Sequence, residues 1–334
     1  MNKRKKRTTI TDVAIAANVS IATVSKIVNG KDQKISEETR QRVQELIKEL
    51  EYIPNEMARS LKDAASRTIG LMIPNIGNAF PEMAQGAQDE AFERGYNLFL
   101  CSTESNPVQE ERFREMLISK MVDGIIYISS NYETSNKFLS ELHIPCVAID
   151  RIVENQSGIG VVQIDNYQAM KEAAAFAVSK GCKQIGYITA DITQSPSKER
   201  YKGFLDGLKE CNVEFDQRLL YTGAFQVETG NMGAMALLKQ EENLDCILCG
   251  NDLIAIGAMN VCQKAGKRIP QDIKIMGFDD IYISKYIYPE LTTVRQNVYE
   301  MGRRASQMLI DHVENGTELS HIILPHELIE RGSF

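Results

Sequence analysis

The sequence predicts an α/β body of two doubly wound parallel sheets behind a small all-helical head. Three observations carry that expectation. From Arg67 onward, short apolar runs alternate with amphipathic stretches of roughly 10–15 residues, the pattern of repeated βα units. Before it, Thr9–Gly30 ("TITDVAIAANVSIATVSKIVNG") holds two short helical patterns with a brief break between them. The charge divides at the same place. Residues 1–62 hold 13 Lys and Arg against 8 Asp and Glu, a net +5, which leaves −12 on the other 272 residues of a chain whose total is −7.

A chain of 334 residues exceeds what one core usually holds, so two or three domains are expected. With 43% hydrophobic and 25% charged residues the composition is that of a globular protein. No run of about 18 apolar residues occurs, so no membrane partner is expected. The cationic arm Lys3–Arg7 has no apolar region behind it, unlike a secretory leader. Seven scattered Cys then read as reduced thiols in a cytoplasm. A basic head on an acidic body points to a polyanion as the head's partner, the alternative being a solubilising tail.

Within the head, Val13, Ala14, Ala17 and Val19 share one helical face. Thr11-Asp12 is the expected N-cap of that helix and Asn18 its end. Ser20 caps a second helix with Val24, Ile27 and Val28 inward, stopped by Asn29-Gly30. Small Ala residues let the pair cross closely, as in a helix-turn-helix. A third helix follows Ser36, with Val43, Leu46, Ile47 and Leu50 inward. The second helix is the one to enter a major groove. Ile21, Ala22, Ser25 and Lys26 face outward on it. Ser20 and Thr23 suit phosphates, and Lys26 suits a base edge or a phosphate. On spacing alone a structural three-helix bundle remains the alternative. After the head, "YIPNEMARSLK" carries Pro54 and an Asn55 cap for a helix of about two turns, Glu56 to Leu61. So short a helix is marginal alone in water.

In the body, strands are expected at 68–74, 96–102, 123–129, 145–150, 184–189, 219–224, 245–250 and 274–280. Helices are expected at 81–95, 108–121, 133–142, 167–181, 198–210, 230–240, 253–266 and 298–316, with "SHIILPHEL" as a final strand. Ligands of such sheets bind at the carboxyl ends of the strands, here in a cleft between two sheets. Several strand-end residues are therefore candidates. "GFDD" brings Asp279 or Asp280 to the mouth, where a carboxylate accepts two hydroxyls at once. "GND" brings Asn251 to it, with Asp252 expected to cap the next helix. Asp150 and Arg151 end "CVAIDR", Phe225 is placed to stack on a ligand's apolar face, and Gln296 follows "LTTVR". The competing reading is that strand-end Asp and Asn only cap helices.

Other signals carry less. Cys246-x-x-Cys249 lies in an apolar strand with no second pair, so core is expected rather than metal. Gly158-x-Gly160 lacks a third Gly and a following helix start. His143, His312, His321 and His326 form no ligand spacing. No nucleophile elbow, phosphate-binding loop or zinc-protease motif is present, so neither enzyme activity nor a cofactor or metal is expected.

"TITDVAIAANVSIATVSKIVNG" and "SEETRQRVQELIKELEYIPNEMARSL", followed in order by "RTIGLMIPNIGNAF", "VDGIIYIS", "CVAIDR", "ERYKGF", "CGNDLIAIGAM", "KIMGFDDI" and "LTTVRQ", resemble the LacI/GalR family of bacterial transcription regulators over almost the whole chain. The resemblance implies a helix-turn-helix head at 1–53, a hinge at 54–66, and a periplasmic-binding-protein-like body at 67–334. The body's N-subdomain would span about 67–165 and 297–325, its C-subdomain about 166–296 and 326–334, with crossings near 166, 296 and 325. It implies a repressor of carbohydrate-use genes that binds near-palindromic double-stranded DNA as a homodimer and responds to a small effector, a sugar or sugar derivative. Residues expected at DNA are Thr9, Ser20, Ile21, Ala22, Thr23, Ser25, Lys26, Asn29, Asn55, Ala58 and Leu61. Met57 and Ala58 would pair hinge helices and Leu61 would wedge into the minor groove. Residues expected at the effector are Ala79, Phe80, Asp150, Arg151, Arg200, Phe225, Asn251, Asp279 and Gln296. The family usually has Arg where Lys26 stands, and Lys offers a point charge instead of a fork. A monosaccharide, a pentose such as ribose foremost, is expected over a purine because aromatic residues near the mouth are few. The chain ends soon after its last strand, with no further heptad helix, hence the dimer expectation. A sugar-transport protein would share the body, but would need an export signal and no head.

Overall fold

A computed structural model describes residues 8–53, 65–129, 138–150, 158–193 and 195–334. The chain divides into two compact units, Met1–Ser66 and Arg67–Phe334.

The first unit holds three helices: α1 (Ile10–Ala16), α2 (Ile21–Val28) and α3 (Glu37–Glu49). Thr9, not Thr11, caps α1. Its hydroxyl accepts from Asp12 N while the Asp12 carboxylate accepts from Thr9 N, a reciprocal box that starts the helix two residues earlier than expected. Asn18 takes the left-handed conformation (φ 51°) that reverses the chain, and α2 leaves at a bend of 109°. Ser20 caps α2 through Thr23 N, and Ser36 caps α3 through Thr39 N. Val13, Val24 and Val43, one from each helix, are fully buried at the centre, with Ala14, Ala17, Ile27 and Tyr52 around them. Burying each such Val contributes roughly 1.5–3 kcal/mol, which carries a core this small.

The second unit has two six-stranded sheets. Its strands are β1 (Thr68–Ile73), β2 (Asn97–Ser102), β3 (Gly124–Tyr127), β4 (Cys146–Ile149), β5 (Ile159–Ile164), β6 (Ile185–Ala190), β7 (Leu220–Gly223), β8 (Cys246–Cys249), β9 (Lys274–Asp279), β10 (Thr292–Gln296), β11 (His321–Leu324) and β12 (His326–Ile329). Its helices are α4 (Phe80–Glu93), α5 (Pro107–Ser119), α6 (Asn166–Ser179), α7 (Ser197–Glu210), α8 (Val227–Gln240), α9 (Asp252–Lys264) and α10 (Val298–Asn315). The expected helix at 133–142 falls largely outside the described residues, as do Arg151 and the hinge residues Asn55, Met57, Ala58 and Leu61.

The first sheet runs β11-β5-β4-β3-β1-β2, all parallel. The second runs β12-β10-β9-β8-β6-β7 and is parallel except where β12 pairs antiparallel with β10. All six residues of β1 are buried, as a strand with helices on both faces requires. Three expectations need correction. Residues 159–164, read only as a weak glycine motif, form β5. "SHIILPHEL" is two strands in two sheets, split at Pro325, which has no N–H to continue a ladder. The second sheet is not wholly parallel.

The chain passes between sheets after Ile164, after Gln296 and after Leu324. After Gln296, α10 returns to pack on β3, β4 and β5. It lies so close to α4 that a Cβ at Gly302 would sit 1.9 Å from the Met83 carbonyl, and one at Gly86 would sit 2.0 Å from that of Tyr299. No single helix among the described residues is long and apolar enough to cross a membrane.

Candidate effector cleft and DNA-binding head

The carboxyl ends of strands from both sheets, with the loops after them, line a cleft of about 460 Å³. From the first sheet's side come Asn78, Ala79, Phe80, Met83, Ile128 and Asp150; Pro196, Arg200, Phe225, Asn251, Asp279 and Gln296 come from the second. Val298, at the start of α10, completes the wall. Every expected effector residue among the described positions is in this wall. Arg151 lies outside the described residues.

Arg200 is the largest fully buried side chain among the described residues, 2% exposed. It projects from the first turn of α7. Its Nε donates to Asn166 Oδ1 at 2.8 Å and its Nη1 to the Gly250 carbonyl at 2.7 Å. Its guanidinium carbon lies 3.7 Å from the Phe278 ring centroid. Two carboxylates flank it: Asp279 Oδ1 is 3.7 Å from Nη1 and Asp150 Oδ2 is 3.9 Å from Nη2. Stacked and doubly bonded, the cation is held without motion, which suits it to orient a ligand rather than to clasp it.

Asp279 ends β9 in a strained backbone (φ 116°). Its Oδ1 accepts from Gln296 Nε2 at 2.6 Å and its Oδ2 from Asn78 Nδ2 at 3.1 Å. Burial pushes its carboxyl up to about 6; Arg200 opposes that rise and Asp150 adds to it. Asp280 turns away, pairing with Arg295 at 2.7 Å and Arg331 at 2.6 Å, so of the two strand-end acids only Asp279 reaches the cleft.

In the "GND" pair the helix cap falls on Asn251 and not, as expected, on Asp252. Asn251 is the N-cap of α9, its Oδ1 accepting from Ile254 N at 2.9 Å. Asp252 is buried behind it, accepting from Ile281 N, Ser284 Oγ and Thr293 Oγ1 at 2.9, 2.6 and 2.6 Å. Those bonds hold the segment just after Asp279. Burial, with Asp279 nearby, pushes the Asp252 carboxyl up to about 7. Asn251 nevertheless also faces the cleft, because its Nδ2 is buried with no partner. Asn78 Oδ1 and Gln296 Oε1 are likewise buried and unpartnered. Three such atoms around one small cleft, two acceptors and a donor, leave unmet hydrogen bonds that a hydroxylated ligand can fill.

Two residues of this network escaped the sequence reading. Asn78 follows β1 in a left-handed turn (φ 57°). Asn166 bridges Arg200 to Asp150 Oδ1, donating to the latter at 3.2 Å. Cys246 and Cys249 are both buried in β8, their thiols pushed up by burial.

On the head, α2 exposes Ile21, Ala22 and Lys26. Thr23 and Ser25 are half-buried, and the Ser20 and Thr23 hydroxyls lie 2.9 Å apart. Asn29 donates to the Ser25 carbonyl at 2.7 Å and closes the helix. Thr9 is occupied by its cap. The exposed apolar Ile21 (48% exposed) beside a cation is the mixture a major groove takes, a thymine methyl for one and an acceptor edge for the other.

Residues 9–55 match the "Bacterial regulatory proteins, lacI family" and residues 174–334 the "Periplasmic binding protein-like domain". The ribose operon repressor of Halalkalibacterium halodurans is 36% identical over 92% of this chain and 91% of its own length. The transcriptional repressor PurR of Mannheimia succiniciproducens is 33% identical over 97% and 98%. The chain belongs to the LacI family. Among solved structures, the complex of the transcriptional regulator CelR with cellobiose is 26% identical with a TM-score of 0.76, covering 98% of this chain and all of that one. As a LacI-family member the chain is a DNA-binding transcription regulator, with the family's head and body both present.

Proposed function

We propose that this LacI-family chain is a cytoplasmic repressor of carbohydrate-use genes whose cleft takes a monosaccharide. The observation that carries the reading is the trio of unpartnered buried atoms, Asn78 Oδ1, Asn251 Nδ2 and Gln296 Oε1, set around the Asp279 carboxylate. A sugar ring offers vicinal hydroxyls that donate to a carboxylate and accept from an amide, and an apolar face for Phe225 and Phe80. The sugar operon and cellobiose named for two relatives agree with that chemistry. Ala79, Asp150, Arg200 and Gln296 complete the effector set.

The head is proposed to read a near-palindromic operator through Ile21, Ala22, Ser25 and Lys26, with Thr9, Ser20, Thr23 and Asn29 near phosphates. Asn55, Ala58 and Leu61 would act from the hinge. A homodimer supplies the two heads. Exposed apolar residues support a second copy: Phe99 and Leu100 lie on the edge strand β2, and Met232 and Met235 on α8, each at least two-fifths exposed. An uncovered apolar strand edge needs a partner.

The test is a thermal-shift screen of pentoses, hexoses, their phosphates and purine bases against the intact chain. One sugar should raise Tm saturably and change operator affinity, and Asp279→Ala should abolish both effects. Stabilisation by a purine base alone, with every sugar inert, would reassign the ligand class. Calorimetry showing unchanged affinity in Asp279→Ala and Arg200→Ala would overturn the site.

A further inference from the structure

A second cavity, of about 450 Å³, lies where the chain crosses from β5 into α6, and shares no lining residue with the effector cleft. Gln163 and Ile164 of β5, Asp165 and Tyr167 at the start of α6, Glu199 in the first turn of α7 and Ile323 of β11 form its wall. Two polar groups there face the cavity. Gln163 is 7% exposed, and its side-chain amide lines the cavity without a hydrogen bond to another described residue. Glu199 Oε2 is buried without a hydrogen bond. A buried carboxylate oxygen with no donor is among the costliest unmet groups a fold can carry. Asp165 adds a second carboxylate, though its Oδ1 already accepts from Gln168 N as the cap of α6. No described lining residue is cationic. Of the cations near the wall, Arg200 is committed to Asn166 at 2.8 Å and to the Gly250 carbonyl at 2.7 Å, and two lie over the Tyr167 ring: Lys171 at 5.9 Å, which pairs with Glu210 at 2.7 Å, and Lys202 at 5.5 Å.

We propose that this cavity binds a small organic cation carrying a primary ammonium group. The ammonium donates to Glu199 Oε2 and to the Gln163 amide oxygen, and the ligand's aliphatic part lies against Ile164 and Ile323. An ammonium suits the site better than a neutral hydroxyl because it offers three donors and cancels the buried charge. An anion is repelled by both acids. The site also has a mechanical consequence. Gln163 and Ile323 belong to the first sheet and Glu199 to a helix of the second, so the occupant touches both sides of the crossover. Asn166, also on this wall, is the residue that links Asp150 to Arg200 in the effector cleft.

The test uses the full-length protein with 1,4-diaminobutane, and with 1,4-butanediol and sodium chloride as controls at matched ionic strength. The diamine should raise Tm saturably and protect amides of 163–167 and 195–199 from exchange together, while the diol and the salt do neither. Glu199→Gln and Gln163→Leu should each weaken the diamine's apparent affinity roughly tenfold, the loss of one charge-assisted bond. Because neither residue lines the effector cleft, these readouts stand apart from sugar binding. A diol as effective as the diamine would overturn the cationic class. A flat diamine titration, or a diamine effect unchanged in both variants, would overturn the site.

Discussion

Replacing Asp279 with Asn should make the protein more stable at neutral pH while removing its response to ligand. The carboxyl's rise from 3.8 to about 6 on folding means the folded state holds its proton more tightly than the unfolded chain. Stability therefore falls as pH rises from about 4 through about 6, and above that the ionised form carries about 3 kcal/mol of unfavourable energy. An isosteric amide never ionises and so escapes it. The new amide also finds acceptors. Gln296 Oε1 and Asn78 Oδ1 are unpartnered beside it, and either amide can turn to present its oxygen. Between pH 5 and pH 7.5 the wild-type carboxyl should forfeit about 1.4 kcal/mol that the variant keeps. For a unit of this size that is roughly 3–6 °C in Tm. Thermal melts of both proteins at the two pH values measure it. The variant's advantage should grow from pH 5 to pH 7.5, and no sugar should shift its Tm. A variant less stable than wild type at pH 7.5, or an equal difference at both pH values, would refute the reasoning.

Arg200→Lys keeps the charge but loses the Asn166 or Gly250 bond and the Phe278 stack, so urea unfolding should show a loss of about 2–4 kcal/mol. Gly302→Ala drives a methyl into the Met83 carbonyl at 1.9 Å; α4 and α10 must part, and circular dichroism melts should drop by more than about 3 kcal/mol in equivalent stability. Ser20→Ala removes the α2 cap and should cost about 1 kcal/mol, read as weaker operator binding in anisotropy titrations. Lys26→Ala should relax preference at one position of each half-site by about 1–3 kcal/mol, whereas deleting Lys3–Arg7 should weaken all DNA sequences alike and flatten the salt slope.

What the sequence made legible was whatever has a period or a local signature. The buried strands β1, β3, β4 and β8 are unbroken apolar runs, and α2 and α3 carry both a cap and a face. β5 was missed because Gly158 and Gly160 in "GIGVVQI" dilute its apolar run. The α1 cap was misplaced because Thr9 and Thr11 both precede the apolar face, and only Thr9 stands three residues before Asp12. In "GND" both residues are good caps in isolation. Which one caps depends on Ser284 and Thr293, some 30 to 40 positions away, claiming the Asp252 carboxylate. Asn78 and Asn166 were invisible for the same reason: their partners, Asp279 and Arg200, are set by the fold.

The contacts that cross the cleft suggest how a ligand could act on it. Asn78 and Asp150 stand on the first sheet's side; Asp279, Arg200 and Asn166 stand on the second. Among the described residues three polar contacts span the gap, Asn78 to Asp279, Asn166 to Asp150, and the longer Arg200 to Asp150 pair. A hydroxyl donated to Asp279 joins Asn78 and Gln296 on a carboxylate that still has acceptor sites, so binding adds to a crossing contact. The ligand can bias the angle between subdomains only by the contacts it makes in one arrangement and not in the other. Full switching needs about 5.5 kcal/mol of such difference. One bond to a charged group supplies about 1.5–3 kcal/mol, so a single hydroxyl on Asp279 falls short. The ligand must engage the first sheet's side as well, where Asn78 Oδ1 waits unpartnered. An effector of this chain is therefore expected to carry at least two hydroxyls placed to reach Asp279 and Asn78 together. Deoxygenating either position of such a ligand should leave a compound that still shifts Tm but no longer changes operator affinity.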